Sequence, residues 1–178
     1  MRAFGRGRRC ILAAVSLLFA AALFRAHVAS ALVTRGDDLL RDGNVDGAVR
    51  SYARARWLDA KSAVAADRLA FYLVLRGRDG DAAQAYTVAG DALFFSPRDP
   101  QLLADRGFAA ERLARWRSAE SSFAAAGSAA HDPRYYHLAA RMAQRAHDTF
   151  AFRRDVHDAL AFDASFGPAR AALRGSRR

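Results

Sequence analysis

The chain has 178 residues, 52% of them hydrophobic, and carries 28 Lys and Arg against 18 Asp and Glu, a formal net charge of +10. That length suits one domain of three or four helical hairpins and excludes two large domains. A single cysteine, Cys10, excludes an intramolecular disulfide and a cysteine metal cluster. The positive charge is almost wholly arginine in an alanine-rich chain, with Lys61 the one lysine, and no basic helix with interleaved aromatics accompanies it. Nucleic acid is therefore not expected as a partner.

In chain order, residues 1–9 are basic, and Cys10 to Phe24 form an unbroken apolar run, the pattern of an export signal. Cys10 follows Arg8-Arg9 directly, which does not suit a lipoprotein anchor, and Ala29-Ser30-Ala31 offers a small-x-small cleavage site. The expectation is a retained signal anchor over residues 1–28 that spans the bacterial inner membrane once. The array beyond it then lies outside the cytoplasm, because the basic flank stays inside. The alternative is cleavage after Ala31, which gives a soluble, secreted or periplasmic protein.

Three stretches then repeat one spacing of small and aromatic residues. They read Gly36, Leu39, Ala48, Tyr52, Ala55; then Ala70, Leu73, Ala82, Tyr86, Ala89; then Gly107, Ala110, Ala119, Phe123, Ala126. The offsets of 3, 12, 16 and 19 are those of two helices joined by a short turn. The small first residue is expected to let helix A approach the Ala at +12, with the aromatic at +16 filling the gap to the next pair. This pattern resembles the tetratricopeptide repeat, whose period is about 34 residues.

The resemblance implies an all-α fold: a right-handed α-solenoid of helical hairpins preceded by one N-terminal apolar helix. The array is expected over 29–166, divided as 29–62, 63–99, 100–132 and a degenerate 133–166, with a capping helix and basic tail over 167–178. Helix A of the first repeat is expected from Ser30 to Arg41, and that of the second from Asp67 to Arg76. Pro97 and Pro100 fall three residues later than the first repeat predicts, so an extra turn is expected around Leu93 to Phe95. Asp99-Pro100 and Asp132-Pro133 mark helix starts. In the fourth repeat Phe152 stands where a small residue is expected, which calls for local repacking.

The resemblance also implies that the A helices line a groove in which partners dock. Equivalent positions there hold Asp37, Phe71, Phe108 and Arg141, and one turn on, Arg41, Leu75, Arg112 and Arg145, with His137 adding to the basic end. Such a face suits an extended peptide or a helix, unless Phe71 and Phe108 pack within the superhelix instead. The clamp with which co-chaperones of this family hold a terminal carboxylate is not matched. Its positions carry Val33, Asp37, Arg68, Gln101 and Asp105, and two acids there repel a carboxylate.

No catalytic, cofactor-binding or metal-ligating constellation is present, so no enzyme, cofactor or small-molecule substrate is expected. His147-Asp148 and His157-Asp158 lie ten residues apart, which sets them on different sides of one helix. The role expected is a non-catalytic scaffold or adaptor that binds a protein partner, in an envelope assembly, secretion or pilus system. The membrane is engaged through the N-terminal helix alone.

Overall fold

A computed structural model describes the backbone of residues 4–175 and the side chains of residues 15–175. Cys10 and the basic residues near it therefore lie outside the described side chains. Among the described residues the chain forms nine α-helices and no strand: α1 (Phe4–Arg41), α2 (Val45–Leu58), α3 (Ala63–Arg76), α4 (Asp81–Leu93), α5 (Pro100–Arg112), α6 (Trp116–Ala130), α7 (Pro133–Arg145), α8 (Thr149–Phe162) and α9 (Gly167–Gly175). They fall into two compact units, one ending at Ala60 and one beginning at Lys61.

The first unit is α1 packed on α2. Helix A of the first repeat does not begin at Ser30: α1 runs unbroken for 38 residues, from the apolar segment through to Arg41. The reason is local. No proline interrupts the run, and its alanines and leucines are strong helix formers, so the period of the repeat marks no physical stop. The stop comes after Arg41, where Gly43 takes a left-handed φ of 74° and Asn44 caps α2 by accepting from Gly47 N–H at 2.8 Å. The two helices close on Gly36. A Cβ there would stand 2.4 Å from Cε1 of the wholly buried Tyr52, so only glycine admits that ring. The Tyr52 hydroxyl then donates to Asp37 at 2.6 Å, and Ser51 Oγ donates to the Leu32 carbonyl at 2.9 Å.

The second unit stacks its helices in chain order, each on the next, with α3 also touching α5. Helix α3 starts at Ala63, a turn earlier than Asp67, because Ser62 Oγ accepts from Ala65 N–H and caps it there. Gly77 ends it at a φ of 67°. The buried Asp81 turns back to Arg76, with Nε to Oδ2 at 2.8 Å and Nη2 to Oδ1 at 2.6 Å. That guanidinium holds its carboxyl below the usual range despite burial. Helix α4 ends at Leu93, and Phe94 to Ser96 follow as a hydrogen-bonded turn on the Asp91 and Ala92 carbonyls. This is the extra turn that the late prolines required. Asp99, Asp132 and Asp148 each cap the helix that follows.

The contact between small and aromatic residues recurs, and the +16 ring Phe123 packs with Ala139 and Met142 of the next hairpin, as expected. Phe123 fills the space beside Gly107 of its own hairpin, where a Cβ would lie 2.7 Å from its Cε1. The glycine therefore also serves the ring itself, which shares its cluster with the Ala at +12, Ala119. Tyr136 uses Gly127 in the same way, with a Cβ reaching 2.7 Å from its Cδ2. Tyr86 is the exception. It follows Ala70 rather than a glycine, stays half-buried, and takes Arg106 over its ring at 4.9 Å and on its hydroxyl at 3.0 Å. In the fourth hairpin Val156 occupies the aromatic's position, wholly buried with Tyr136, Ala140 and Ala159. The large Phe152 packs at the margin of that cluster beside Phe166 and Leu173 of the C-terminal end.

Candidate functional site

Helices α3, α5 and α7 present a shallow trough in the second unit. One hollow of about 160 Å³ is lined by Phe71, Val74 and Leu75 of α3 with Asp105, Phe108 and Arg112 of α5. A second, of about 500 Å³, adjoins it through shared Val74, Phe108 and Arg112, and adds Glu111 and Arg145. The residues arise from helix register: Phe71 and Leu75 lie one turn apart on α3, and Asp105, Phe108 and Arg112 step along one face of α5.

Exposure decides between the two readings of the aromatics. Phe71 is 45% exposed, its edge against Tyr72 with centroids 5.0 Å apart, and Leu75 is 60% exposed. Phe108 does both jobs: it is half-buried and meets Phe123 edge-on at 5.0 Å, while also lining the trough. Arg145 donates to Glu111 at 3.2 Å across α7 and α5, and its guanidinium stands 5.0 Å over the Trp116 ring.

The trough thus brings together Phe71, Phe108, Arg112 and Arg145. Asp37 and Arg41 belong to the first unit, where Asp37 accepts from Tyr52 and Arg41 pairs with Asp38. His137 lines neither hollow. It meets Phe166 at 6.0 Å, and burial, with the Arg141 charge beside it, holds its pKa below the usual histidine value. Arg141 is exposed on α7.

Asp105, expected from sequence only as an acidic position of the unmatched clamp, lines the trough and pairs with Asp67. Asp105 is only 4% exposed, its Oδ2 has no hydrogen-bond partner, and the Asp67 carboxyl of α3 lies within hydrogen-bonding reach. Burial, then the Asp67 charge and its hydrogen bond, push Asp105 up to about 9, and burial raises Asp67 as well. The available signal was two aspartates on successive A helices, each within one turn before the groove aromatic.

Other groups singled out by sequence have structural roles here. His147 holds a left-handed φ of 56° in the α7–α8 turn, and Asp148 accepts from Ala151 N–H at 2.9 Å as the cap of α8. Among the described residues no group of three or more His, Cys, Asp or Glu is placed to hold a metal.

No protein-family model matches the sequence, and a search of curated proteins returns no match. Solved structures do resemble it. MamA from Desulfovibrio magneticus RS-1 (residues 41 to the end) is 18% identical, with 77% of this chain and 76% of that chain covered and a TM-score of 0.64. YrrB, described as a TPR protein with an unusual peptide-binding site, is 15% identical over 92% and 87% of the two chains, with a TM-score of 0.66. Pseudomonas aeruginosa pilF is 18% identical over 86% and 71%, with a TM-score of 0.64. At these identities the likeness speaks to architecture, and with the hairpins and their glycine–aromatic contacts it shows that this chain has the tetratricopeptide-repeat fold.

Proposed function

We propose that the protein is a non-catalytic scaffold or adaptor that binds a peptide or helix of a protein partner in the α3–α5–α7 trough. The observation that carries this is the rim of exposed Phe71 and Leu75 beside Phe108 and Arg112, an apolar hollow edged by charge. Aromatic anchors in such a setting supply binding energy, and the charges around them fix orientation. YrrB's description as peptide-binding supports the reading through shared architecture.

The protein is tethered to the bacterial inner membrane through α1, with the array on the extracytoplasmic side, where it serves an envelope assembly, secretion or pilus system. Supporting this, Val15–Arg41 is long and apolar enough to cross a membrane, with an 18-residue window of mean hydropathy 1.7, of which 6% is buried within the protein. Leu17, Leu18, Phe19 and Phe24 stand in solvent, a state that lipid would relieve. Retention is favoured over cleavage after Ala31. Ala29 is 3% exposed against the first hairpin, and Arg25 donates to the Leu58 carbonyl at 3.2 Å, contacts that cleavage removes. The intact mass of the native protein distinguishes the two.

The test of the binding role is crosslinked capture from solubilised membranes, comparing the wild type with Phe71→Glu/Leu75→Glu. Both positions are exposed, so the fold survives the change. A partner held by the wild type and lost by the double variant, at unchanged helicity, supports the role. The same partner held equally by both rules out the trough.

A further inference from the structure

The smaller hollow is lined by Asp105 of α5, whose carboxyl pairs with that of Asp67 on α3. Asp105 lines the hollow with an unpartnered, buried oxygen, and Asp67 stands against it. The charged and titratable groups around the pair are of both signs. From α3 come Asp67 and Arg68, the latter acting on Asp67; Asp99 sits at the start of α5. From α7 comes Tyr135, with Asp132 and Arg134 beside it. Arg112 is exposed at the rim of the same hollow, its backbone two turns of α5 from that of Asp105, or about 10 Å along the axis. Two carboxyls in contact cannot both ionise cheaply, so in the free chain the pair holds one proton between them.

We propose that this hollow takes the side chain of a lysine or arginine from an extended segment of the partner, its stem between Phe71 and Phe108 and its cationic head on the Asp67–Asp105 pair. The inference rests on the trough being the partner-binding face and adds the chemistry that face reads. A volume of about 160 Å³ equals roughly five waters, room for one side chain and not for a folded surface. The aromatic walls suit a cation as well as its methylenes. An apolar side chain would leave Asp105 Oδ2 unpaired, and an acidic one would add a third carboxyl. Charge balances in the exchange: the cation arrives, the shared proton leaves to solvent, and two carboxylates face one positive head. Binding therefore strengthens as pH rises, up to tenfold per pH unit while the pair still holds its proton.

The experiment uses the full-length protein in mild detergent and blocked nonapeptides that differ at one central position: lysine, arginine, norleucine or glutamate. Fluorescence anisotropy gives affinities at pH 6, 7 and 8. The expected result is a lysine or arginine preference over norleucine of tenfold or more, rising with pH. Asp105→Asn and Asp67→Asn each erase the preference and the pH slope at unchanged helicity. Peptides that bind and are displaced by Phe71→Glu/Leu75→Glu, but show no cationic preference, overturn this inference and leave the trough reading standing. A glutamate preference, or a lysine preference that survives both asparagine variants, also overturns it. Binding that ignores Phe71→Glu/Leu75→Glu overturns both.

Discussion

A contact between a glycine and an aromatic ring closes the first and third hairpins, and one pair of substitutions isolates it. Gly90 and Gly107 both lie inside helices, α4 and α5, so Gly→Ala at either gains the same intrinsic helix propensity, about 0.5–1 kcal/mol. At Gly90 a new Cβ meets nothing within 4 Å, so the gain stands alone. At Gly107 it lands 2.7 Å, 2.8 Å and 2.9 Å from Cε1, Cδ1 and Cζ of Phe123. That ring cannot swing away: it is wholly buried, held edge-on by Phe108, and packed among Ala110, Ala119 and Met142. Overpacking of this kind costs about 1–3 kcal/mol. Gly90→Ala is thus expected to stabilise and Gly107→Ala to destabilise, the two differing by about 1–3 kcal/mol. The assay is urea unfolding of the full chain in mild detergent, followed by far-UV circular dichroism. Phe123→Leu in the Gly107→Ala background should cost less than Phe123→Leu alone, a coupling of about 1 kcal/mol. Equal stabilisation by both alanines would refute the steric account.

Two further outcomes follow from local geometry. Ala114 occupies the left-handed region at a φ of 54°, where a Cβ costs about 1–2 kcal/mol, so Ala114→Gly should raise stability by about 1 kcal/mol. The same measurement checks it. Asp105 is held protonated in the folded chain, so its contribution to stability is full below about pH 4 and is lost as pH rises through its folded value of about 9. The stability difference between the wild type and Asp105→Asn should therefore move against the wild type by about 1 kcal/mol per pH unit from pH 5 to 8, read from urea midpoints at each pH. A flat difference would show that Asp105 is ionised when folded.

The hairpins were legible because their defining contact is between residues at a fixed offset: where a glycine stands 16 positions before an aromatic, as Gly36 does before Tyr52, sequence spacing is spatial contact. The repeat length misled at Ser30, since a repeat boundary needs a helix stop to be seen and the stretch between Phe24 and Arg41 contains none. Phe71, Phe108, Arg112 and Arg145 could be set on one face by counting turns along each helix A. His137 shares that register, but its surroundings are set by Phe166, which precedes a helix outside the repeat pattern. Asp67 and Asp105 share a place on successive A helices, but whether their carboxyls meet depends on how closely α3 and α5 approach, which spacing alone does not specify.

The central claim is that a partner occupies the trough, and site-specific photocrosslinking in living cells tests it most directly. A photoreactive residue replaces the exposed Leu75 on the trough rim in one variant and the exposed Arg117 on α6 in another. The account predicts a discrete adduct with one protein from position 75 that disappears when Phe71→Glu is added, and none from position 117. Adducts of the same size from both positions, or from position 117 alone, would contradict it.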